Sequence, residues 1–285
     1  MTTASSEIAV SSFTARDGVE IAYSETGEGE PLVVFVHATG FCKELCEPLI
    51  ADTYAAVSGF RSVAIDQRAH GDSGVPSLPF DWWDVGRDVV ELIGETTPVI
   101  GVGHSAGGAA LILAELARPG TFTSLVLVEP IVFPPPYGRY PDNPMATGAL
   151  RRRPGFTSRE AAYEKFSSKA AFAGWDDRAM RAYVMGGLRE EGDGVVLKCA
   201  PESEAEFFTA ATEHAAWDRL GEIEAPVLMM AGEHSTTHQA PFLAELCSRM
   251  PHAEYEIVPD SSHFVWMERP GPIASRVADR IVQIQ

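Results

Sequence analysis

The sequence has 285 residues, of which 22 are basic and 40 are acidic, and its formal net charge of −18 argues against binding nucleic acid or an anionic membrane through bulk electrostatics. It contains no run of about 18 uncharged apolar residues, and Met1–Glu7 has neither a basic start nor a long apolar segment, so we expect a cytoplasmic protein. The length suits one large α/β domain or two small ones, and four scattered cysteines indicate reduced thiols rather than a disulfide framework or a metal site.

Short apolar runs alternate with helical patterns along most of the chain. Ile8–Phe13 and Glu20–Ser24 alternate like an antiparallel pair of strands, whereas Leu32–Val36 is a continuous apolar run, typical of a strand buried on both faces. Further strands are predicted at 62–65, 98–102, 125–128, 226–230 and 255–258, with helices at about 42–57, 81–94, 109–117, 240–250 and 272–284. This alternation predicts an α/β fold with a doubly wound, mostly parallel sheet.

The alternation stops between Phe133 and Trp217, where prolines are frequent and helical stretches lie at roughly 157–173, 176–190 and 201–216. We therefore predict a core formed by 1–133 and 218–285, with an all-helical cap, 134–217, over a pocket at the end of the sheet. The alternative is a peripheral decoration away from the site. The aromatic residues of the insertion are expected to form mainly the cap's own small core, with a few lining the pocket: Phe156, Tyr163, Phe166, Phe172, Trp175, Tyr183, Phe207 and Phe208.

A serine stands where a predicted strand turns into a predicted helix. Gly103-His104-Ser105-Ala106-Gly107 follows the strand at 98–102 and precedes the helical run at 109–117. A G-x-S-x-G pattern in this context is typical of a nucleophile elbow, in which the glycines permit a sharp turn and close packing of the helix. The N-terminus of that helix directs free N–H groups towards the serine hydroxyl. The pattern thus predicts Ser105 as a nucleophile.

Four segments in this order resemble the α/β-hydrolase superfamily, and the resemblance extends from about residue 8 to the end of the chain. The segments are His37-Ala38-Thr39-Gly40, residues 66–73, the elbow around Ser105, and Ser261-Ser262-His263-Phe264. Two positions depart from the family pattern, since Ala38 and Ala69 stand where glycine is usual. Neither carries a reacting group, although Ala38 alters the loop that precedes the predicted oxyanion site.

A serine hydroxyl needs a base within hydrogen-bond reach, and that base needs a third group to orient it. In the superfamily that the chain resembles, the base follows the last strand, which is the position of His263. Five other histidines are interpreted as follows: His37, His70 and His104 are structural, and His234 and His238 are weaker alternatives for the base.

The sequence leaves the acid of this triad open. Most relatives carry an aspartate in a G-x-x-D pattern after the penultimate strand, whereas Gly232-Glu233-His234 is followed here by Ser235. Some members, including certain haloalkane dehalogenases and resorcylic lactone hydrolases, carry the acid at the end of an earlier strand, and Glu129 occupies the matching place. We therefore predict Glu129 as the acid, with Glu233 as the alternative and a triad that uses neither glutamate still open.

The resemblance also implies an oxyanion hole formed by the backbone N–H groups of Thr39 and Ala106. The predicted reaction is hydrolysis of a carboxylic ester or lactone of a hydrophobic small molecule through an acyl-enzyme, without a metal or organic cofactor. The serine argues against haloalkane dehalogenase and epoxide hydrolase chemistry, which use aspartate. Amidase, thioesterase, carbon–carbon bond hydrolase and perhydrolase chemistry share the triad and stay open, as does non-catalytic binding of a small ligand. A homo-oligomer is compatible with the sequence.

Overall fold

The computed structural model describes residues 9–285, so Ile8 and Met1–Glu7 lie outside the described residues. Its main feature is an eight-stranded sheet. The strands are β1 (Ala9–Thr14), β2 (Glu20–Gly27), β3 (Leu32–Val36), β4 (Arg61–Ile65), β5 (Val99–His104), β6 (Ser124–Val128), β10 (Val227–Gly232) and β11 (Ala253–Val258). Their spatial order is β1-β2-β4-β3-β5-β6-β10-β11. Pairing is antiparallel from β1 to β2 and from β2 to β4, and parallel across the rest, which confirms the predicted mostly parallel α/β sheet.

Helices cover both faces of this sheet. They are α1 (Glu47–Ala56), α2 (Trp82–Ile93), α3 (Ala106–Ala117), α8 (Ala240–Ser248), α9 (Val265–Glu268) and α10 (Pro270–Ile284). Neighbouring residues of one strand belong to different core clusters, so that Val34 and Val36 pack with α2 and α3 while Val33 and Phe35 pack with α1 and α10. Both faces of the central strands are therefore buried, which is why these strands are unbroken apolar runs.

The insertion 134–217 corrects the prediction of an all-helical cap. It contains α4 (Pro144–Leu150), α5 (Arg159–Ser167), α6 (Asp177–Gly186) and α7 (Pro201–Thr209), together with a small antiparallel sheet of β7 (Gly155–Phe156), β8 (Leu188–Glu191) and β9 (Gly194–Leu197). The helix predicted to reach residue 190 ends at Gly186. Burial alternates along β9, with Val195 and Leu197 inside, whereas only Leu188 of β8 is buried. Gly192 adopts a φ of 58° at the turn between the two strands.

Smaller differences concern boundaries. The helix predicted at 42–57 is a 3₁₀ turn, Lys43–Cys46, followed by α1, and α3 begins directly after Ser105 rather than at residue 109. The four cysteines are buried free thiols. Within residues 9–285, no helix combines the length and the apolar character needed to cross a bilayer. The cytoplasmic location stays a prediction.

Candidate active site

Ser105 lies at a strained turn between β5 and α3. Its backbone has φ 54° and ψ −112°, in the region that L-residues rarely adopt. The turn is held because the Ser105 amide donates to the carbonyl of Val128 at 2.8 Å, while the Ser105 carbonyl accepts from Ala109 at 3.1 Å. A side chain of 7% relative exposure thus sits at the carboxyl edge of the sheet, beside the N-terminus of α3.

The elbow glycines are explained by close packing. A Cβ at Gly107 would lie 2.0 Å from the carbonyl oxygen of Val36, and one at Gly103 would lie 2.6 Å from the carbonyl oxygen of Gly107. Because backbone atoms provide both obstacles, neither can be relieved by turning a side chain. The two glycines of the G-x-S-x-G pattern thus allow α3 to pack closely against β3 and β5.

Gly107→Ala is expected to destabilise the protein by about 3 kcal/mol or more, because α3 would have to move away from β3. Urea denaturation of the variant would measure this loss. Gly148→Ala is the matched control, since a Cβ at this helical glycine of α4 meets no atom within 4 Å. The control should gain about 0.5–1 kcal/mol from its higher helix propensity. Equal stability of the two variants would contradict the packing argument.

The structure brings His263 and Glu129 together. His263 lies in the loop between β11 and α9, with its Nδ1 2.5 Å from Oε2 of Glu129 at the end of β6. The Glu129 carboxylate is fully buried and accepts three further hydrogen bonds. Gly232 donates its amide to Oε1 at 3.0 Å, and the hydroxyls of Ser235 and Thr237 donate to Oε2 at 2.8 and 3.1 Å. These contacts fix the carboxylate beneath the imidazole.

The charge state of Glu129 follows from its neighbours. Burial alone would raise its pKa, but the adjacent imidazoles of His238 and His263 outweigh burial and hold the pKa well below its usual range. The group is therefore an acceptor at neutral pH, so it favours the tautomer of His263 that carries a proton on Nδ1. In that tautomer Nε2 has a free lone pair and can accept a proton from a hydroxyl.

His238 is the second ring beside Glu129. Its Nδ1 lies 3.4 Å from Oε2 of Glu129, and its Nε2 lies 3.0 Å from the carbonyl oxygen of Pro130. The ring is fully buried. It therefore packs against the Glu129 carboxylate and does not line the cavity. This placement does not support His238 as an alternative base.

Ser105 and His263 line one cavity of about 260 Å³ beneath the insertion, at the edge of the sheet. In the described residues, no hydrogen bond joins the serine hydroxyl to the imidazole. Glu233 lies elsewhere: its side chain is exposed, and its Oε2 accepts the amide of Asp260 at 3.0 Å. Of the two glutamates left open by the sequence, Glu129 is thus the one in contact with His263.

The missing family aspartate also has a local explanation. Ser235 stands where most relatives have the aspartate, and its hydroxyl donates to Glu129. The loop after β10 thus supplies hydrogen-bond donors, and the end of β6 supplies the negative charge. Two carboxylates in this buried space would repel each other, so a hydroxyl at position 235 is the compatible partner.

The predicted oxyanion loop is braced by two buried histidines. The Gly40 amide donates to Nε2 of His70 at 2.8 Å. Nδ1 of His37 lies 2.8 Å from the carbonyl oxygen of Ala38, and its Nε2 accepts the Gln67 amide at 3.1 Å. Thr39 lies in this loop and lines the cavity, while Ala106 is the first residue of α3, where a helical N–H has no internal partner. Thr39 therefore lines the same cavity as Ser105, and Ala106 directly follows Ser105 in the chain; the donor role of their N–H groups stays a prediction.

His104 supports the same site from behind. Its Nε2 lies 2.9 Å from the carbonyl oxygen of His263, and its ring stacks on Trp266. Burial lowers the pKa of His104 to about 3, so the ring is neutral and can donate to that carbonyl. The side chain is fully buried, which agrees with its predicted structural role.

Burial of neutral histidines predicts a loss of stability in acid. Burial lowers the pKa of four of them below the usual 6.5: to about 4 for His70 and His214, to about 3 for His104, and well below for His37. Unfolded histidines bind protons near pH 6.5 and these folded ones do not, so their contribution is complete above 6.5 and is lost as the pH falls towards 4. Burial raises the pKa of Asp66 and Asp88 to about 6, so these two carboxyl groups stabilise the folded state as the pH falls below 6. They offset only part of the loss from the four histidines.

The free energy of unfolding should therefore fall between pH 6.5 and 5. Urea denaturation at several pH values would measure the slope. In His70→Gln, whose amide oxygen can still accept from Gly40, the slope should be smaller by about 1 kcal/mol per pH unit, because the unfolded histidine binds most of one proton over this range. An unchanged slope would show that His70 is not a neutral buried group.

The cavity lining contains several aromatic residues, and it also contains charged residues that the sequence analysis missed. Phe166, Phe172 and Phe208 line it, whereas the other five aromatic candidates do not. Three charged residues join them: Arg152, Lys169 and Glu204. No periodic signal in the sequence distinguishes Arg152 from its neighbours Arg151 and Arg153, so only the folded chain identifies the arginine that faces the cavity.

Two clusters in the described residues place three potential metal ligands within 4.8 Å of one another: Glu129, His238 and His263, and Glu233, His234 and Asp260. In the first, the 2.5 Å separation of His263 and Glu129 is that of a hydrogen bond, and it is shorter than the roughly 3.3 Å between two ligands on one tetrahedral zinc ion. The second is exposed, and Glu233 already accepts a backbone amide there.

Comparison with known proteins gives consistent matches. A family model described as "Alpha/beta hydrolase family" matches residues 33–276. The chain is 31% identical over 163 residues to the type I acyl-CoA thioesterase mpaH' of Penicillium brevicompactum, a match covering 52% of this chain and only 37% of that protein. It is 26% identical over 247 residues to the sn-1-specific diacylglycerol lipase ABHD11 of Mus musculus, covering 84% and 77% of the two chains. The solved structure of E-2-(acetamidomethylene)succinate hydrolase has a TM-score of 0.81 and 21% identity, covering 96% of this chain and 100% of that one.

Proposed function

Because the chain belongs to the alpha/beta hydrolase family, we propose that it hydrolyses a carboxylic ester or lactone of a small, largely hydrophobic molecule. Ser105 is the proposed nucleophile, His263 the base and Glu129 the acid. The observation that carries this proposal is the contact between His263 and the buried Glu129 at a cavity that also contains Ser105.

In the proposed first step, Nε2 of His263 takes the proton of the Ser105 hydroxyl while Oγ attacks the substrate carbonyl. The amides of Thr39 and Ala106 donate to the oxygen that becomes negative, and each well-placed donor lowers the barrier by about 3–4 kcal/mol. His263 then protonates the leaving alcohol. Water, deprotonated by the same imidazole, attacks the acyl-enzyme and releases the acid together with free Ser105.

The cavity supports a hydrophobic acyl or lactone ring as substrate. Its apolar lining includes Phe41, Met145 and Phe264 in addition to the three aromatic residues of the insertion. Thioester hydrolysis is the second candidate, because a relative with 31% identity is named an acyl-CoA thioesterase. Both reactions use the same acyl-enzyme and differ in the leaving group.

A fluorophosphonate probe and a substrate panel test the proposal. The probe should label the wild-type protein and leave Ser105→Ala unlabelled, and hydrolysis of aryl esters, lactones, thioesters and amides should be measured alongside. Labelling at Ser105 with turnover of an ester or lactone is the expected result. Preference for thioesters would favour the second candidate. Absence of both labelling and turnover would overturn the proposal in favour of a ligand-binding protein.

A further inference from the structure

A partly buried arginine, Arg152, lies against the proposed oxyanion loop. Arg152 follows α4, its side chain is 18% exposed, and it lines the same cavity as Ser105. Its Nη2 donates to the hydroxyl of Tyr183 at 2.6 Å, and its Nη1 bonds the carboxylate of Glu204. A Cβ at Gly40 would lie 3.3 Å from Nη1, which places the guanidinium directly against the residue after Thr39.

A second cation, Lys169, lines the same cavity. Lys169 lies between α5 and the short turn Ala170–Phe172, with its ammonium group 5.7 Å from the ring centre of Phe166. Among residues 9–285, no carboxylate lies within 4.0 Å of this ammonium group. Two positive charges and the one negative charge of Glu204 therefore line the cavity, a local excess of one positive charge in a chain of formal net charge −18.

We propose that this cavity selects a substrate that carries a free carboxylate, which Arg152 binds and Lys169 attracts. This inference rests on the proposed hydrolase function and specifies its substrate class: the ester or lactone of an anionic molecule whose remaining surface is apolar. A guanidinium has five N–H donors, and the bonds to Glu204 and Tyr183 leave others for a carboxylate. The apolar residues around Arg152, whose side chain is 18% exposed, weaken the screening of that interaction by water.

The alternative reading is that Arg152 and Glu204 only fasten the insertion to the core. That reading explains the ion pair and assigns no role to Lys169, which lines the same cavity. If Arg152 only fastens the insertion, its replacement should lower kcat/KM equally for charged and neutral substrates. If it binds a carboxylate, its replacement should lower kcat/KM for the charged substrate alone.

The test compares 4-nitrophenyl hydrogen adipate with its neutral methyl ester, 4-nitrophenyl methyl adipate. The wild-type protein should show a kcat/KM at least about 10-fold higher for the anionic ester. Arg152→Gln should lower the ratio of the two values by about 10- to 100-fold, the range expected for a hydrogen bond to a charged group. Lys169→Glu should lower it by about 5-fold or more, and this exposed position tolerates the change if Arg152→Gln fails to fold.

Arg151→Gln is the matched control. It removes the same formal charge from the neighbouring residue, which is exposed and makes no ion pair within the described part of the chain. The ratio of its kcat/KM values for the anionic and the neutral ester should equal that of the wild type. A wild-type ratio near one, or equal losses for both esters in Arg152→Gln together with an unchanged ratio in Lys169→Glu, would overturn the subsite.

A binding measurement keeps this test independent of catalysis. In Ser105→Ala, calorimetry should give a Kd for the anionic ester at least about 10-fold lower than for the neutral ester, and Arg152→Gln in that background should remove the difference. Selective binding without turnover by the wild type would overturn the proposed hydrolase function and retain the carboxylate subsite. Turnover of both esters without selectivity would retain the hydrolase function and overturn the carboxylate subsite.

Discussion

Replacing Ser105 with alanine, replacing His263 with alanine, and combining the two changes should each lower kcat for an aryl ester by a similar factor, about 10⁶. The physical reason is that the imidazole has no proton to accept once the hydroxyl is gone, and the hydroxyl is not activated once the imidazole is gone. The second change therefore removes an interaction that the first has already abolished.

Steady-state kinetics with the two single variants and the double variant would measure this. Circular dichroism and thermal unfolding serve as controls, because both side chains face a cavity and their truncation should leave the fold intact. Losses that multiply in the double variant would mean that the two residues act separately. That result would exclude the proposed proton transfer between them.

Glu129→Gln should lower kcat for the same ester by about 10⁴-fold. A glutamine at this position can direct its NH₂ group at Nδ1 of His263, which favours the tautomer with the proton on Nε2 and so removes the lone pair that accepts the serine proton. With the NH₂ group at the position of Oε2, the Gly232 amide still donates to the amide oxygen at the position of Oε1, and the Ser235 hydroxyl can turn to accept from the NH₂ group. The loss therefore reports the tautomer and the charge rather than collapse of the loop.

Glu233→Gln is the matched control for that change. Its carboxylate is exposed and accepts the amide of Asp260, so kcat should stay within a few fold of the wild type. Measuring kcat/KM for both variants against pH would separate an effect on the base from a general loss of activity. A large loss in Glu233→Gln with a small one in Glu129→Gln would move the acid to the loop after β10.

The parallel core was predictable because its signals are local. β3, β5 and β6 are buried on both faces, so each is an unbroken apolar run, and the elbow between β5 and α3 needs glycines at fixed distances from Ser105. Steric demands of this kind act within a few residues. A pattern read along the chain can therefore detect them without knowledge of the fold.

The insertion was less predictable, because its elements are short and packed mainly against each other. The segment from Leu188 to Leu197 contains charged residues and glycines that do not exclude a continuing helix, and the hairpin is fixed only when β9 pairs with both β8 and β7. Pairing with Gly155–Phe156 joins residues about forty positions apart, which no local pattern records. The prediction of an all-helical cap was wrong for this reason.

By itself, the sequence determined the α/β class, the elbow that presents Ser105, and the set of side chains available as base and acid. Only the tertiary structure decided which glutamate contacts His263, because that contact joins residues 134 positions apart and depends on β6 lying between β5 and β10. It also decided that Arg152, among three consecutive arginines, faces the cavity. Residue types determine which side-chain chemistry is available. Strand order and packing determine which distant residues come together, and a pattern along the sequence does not contain that information.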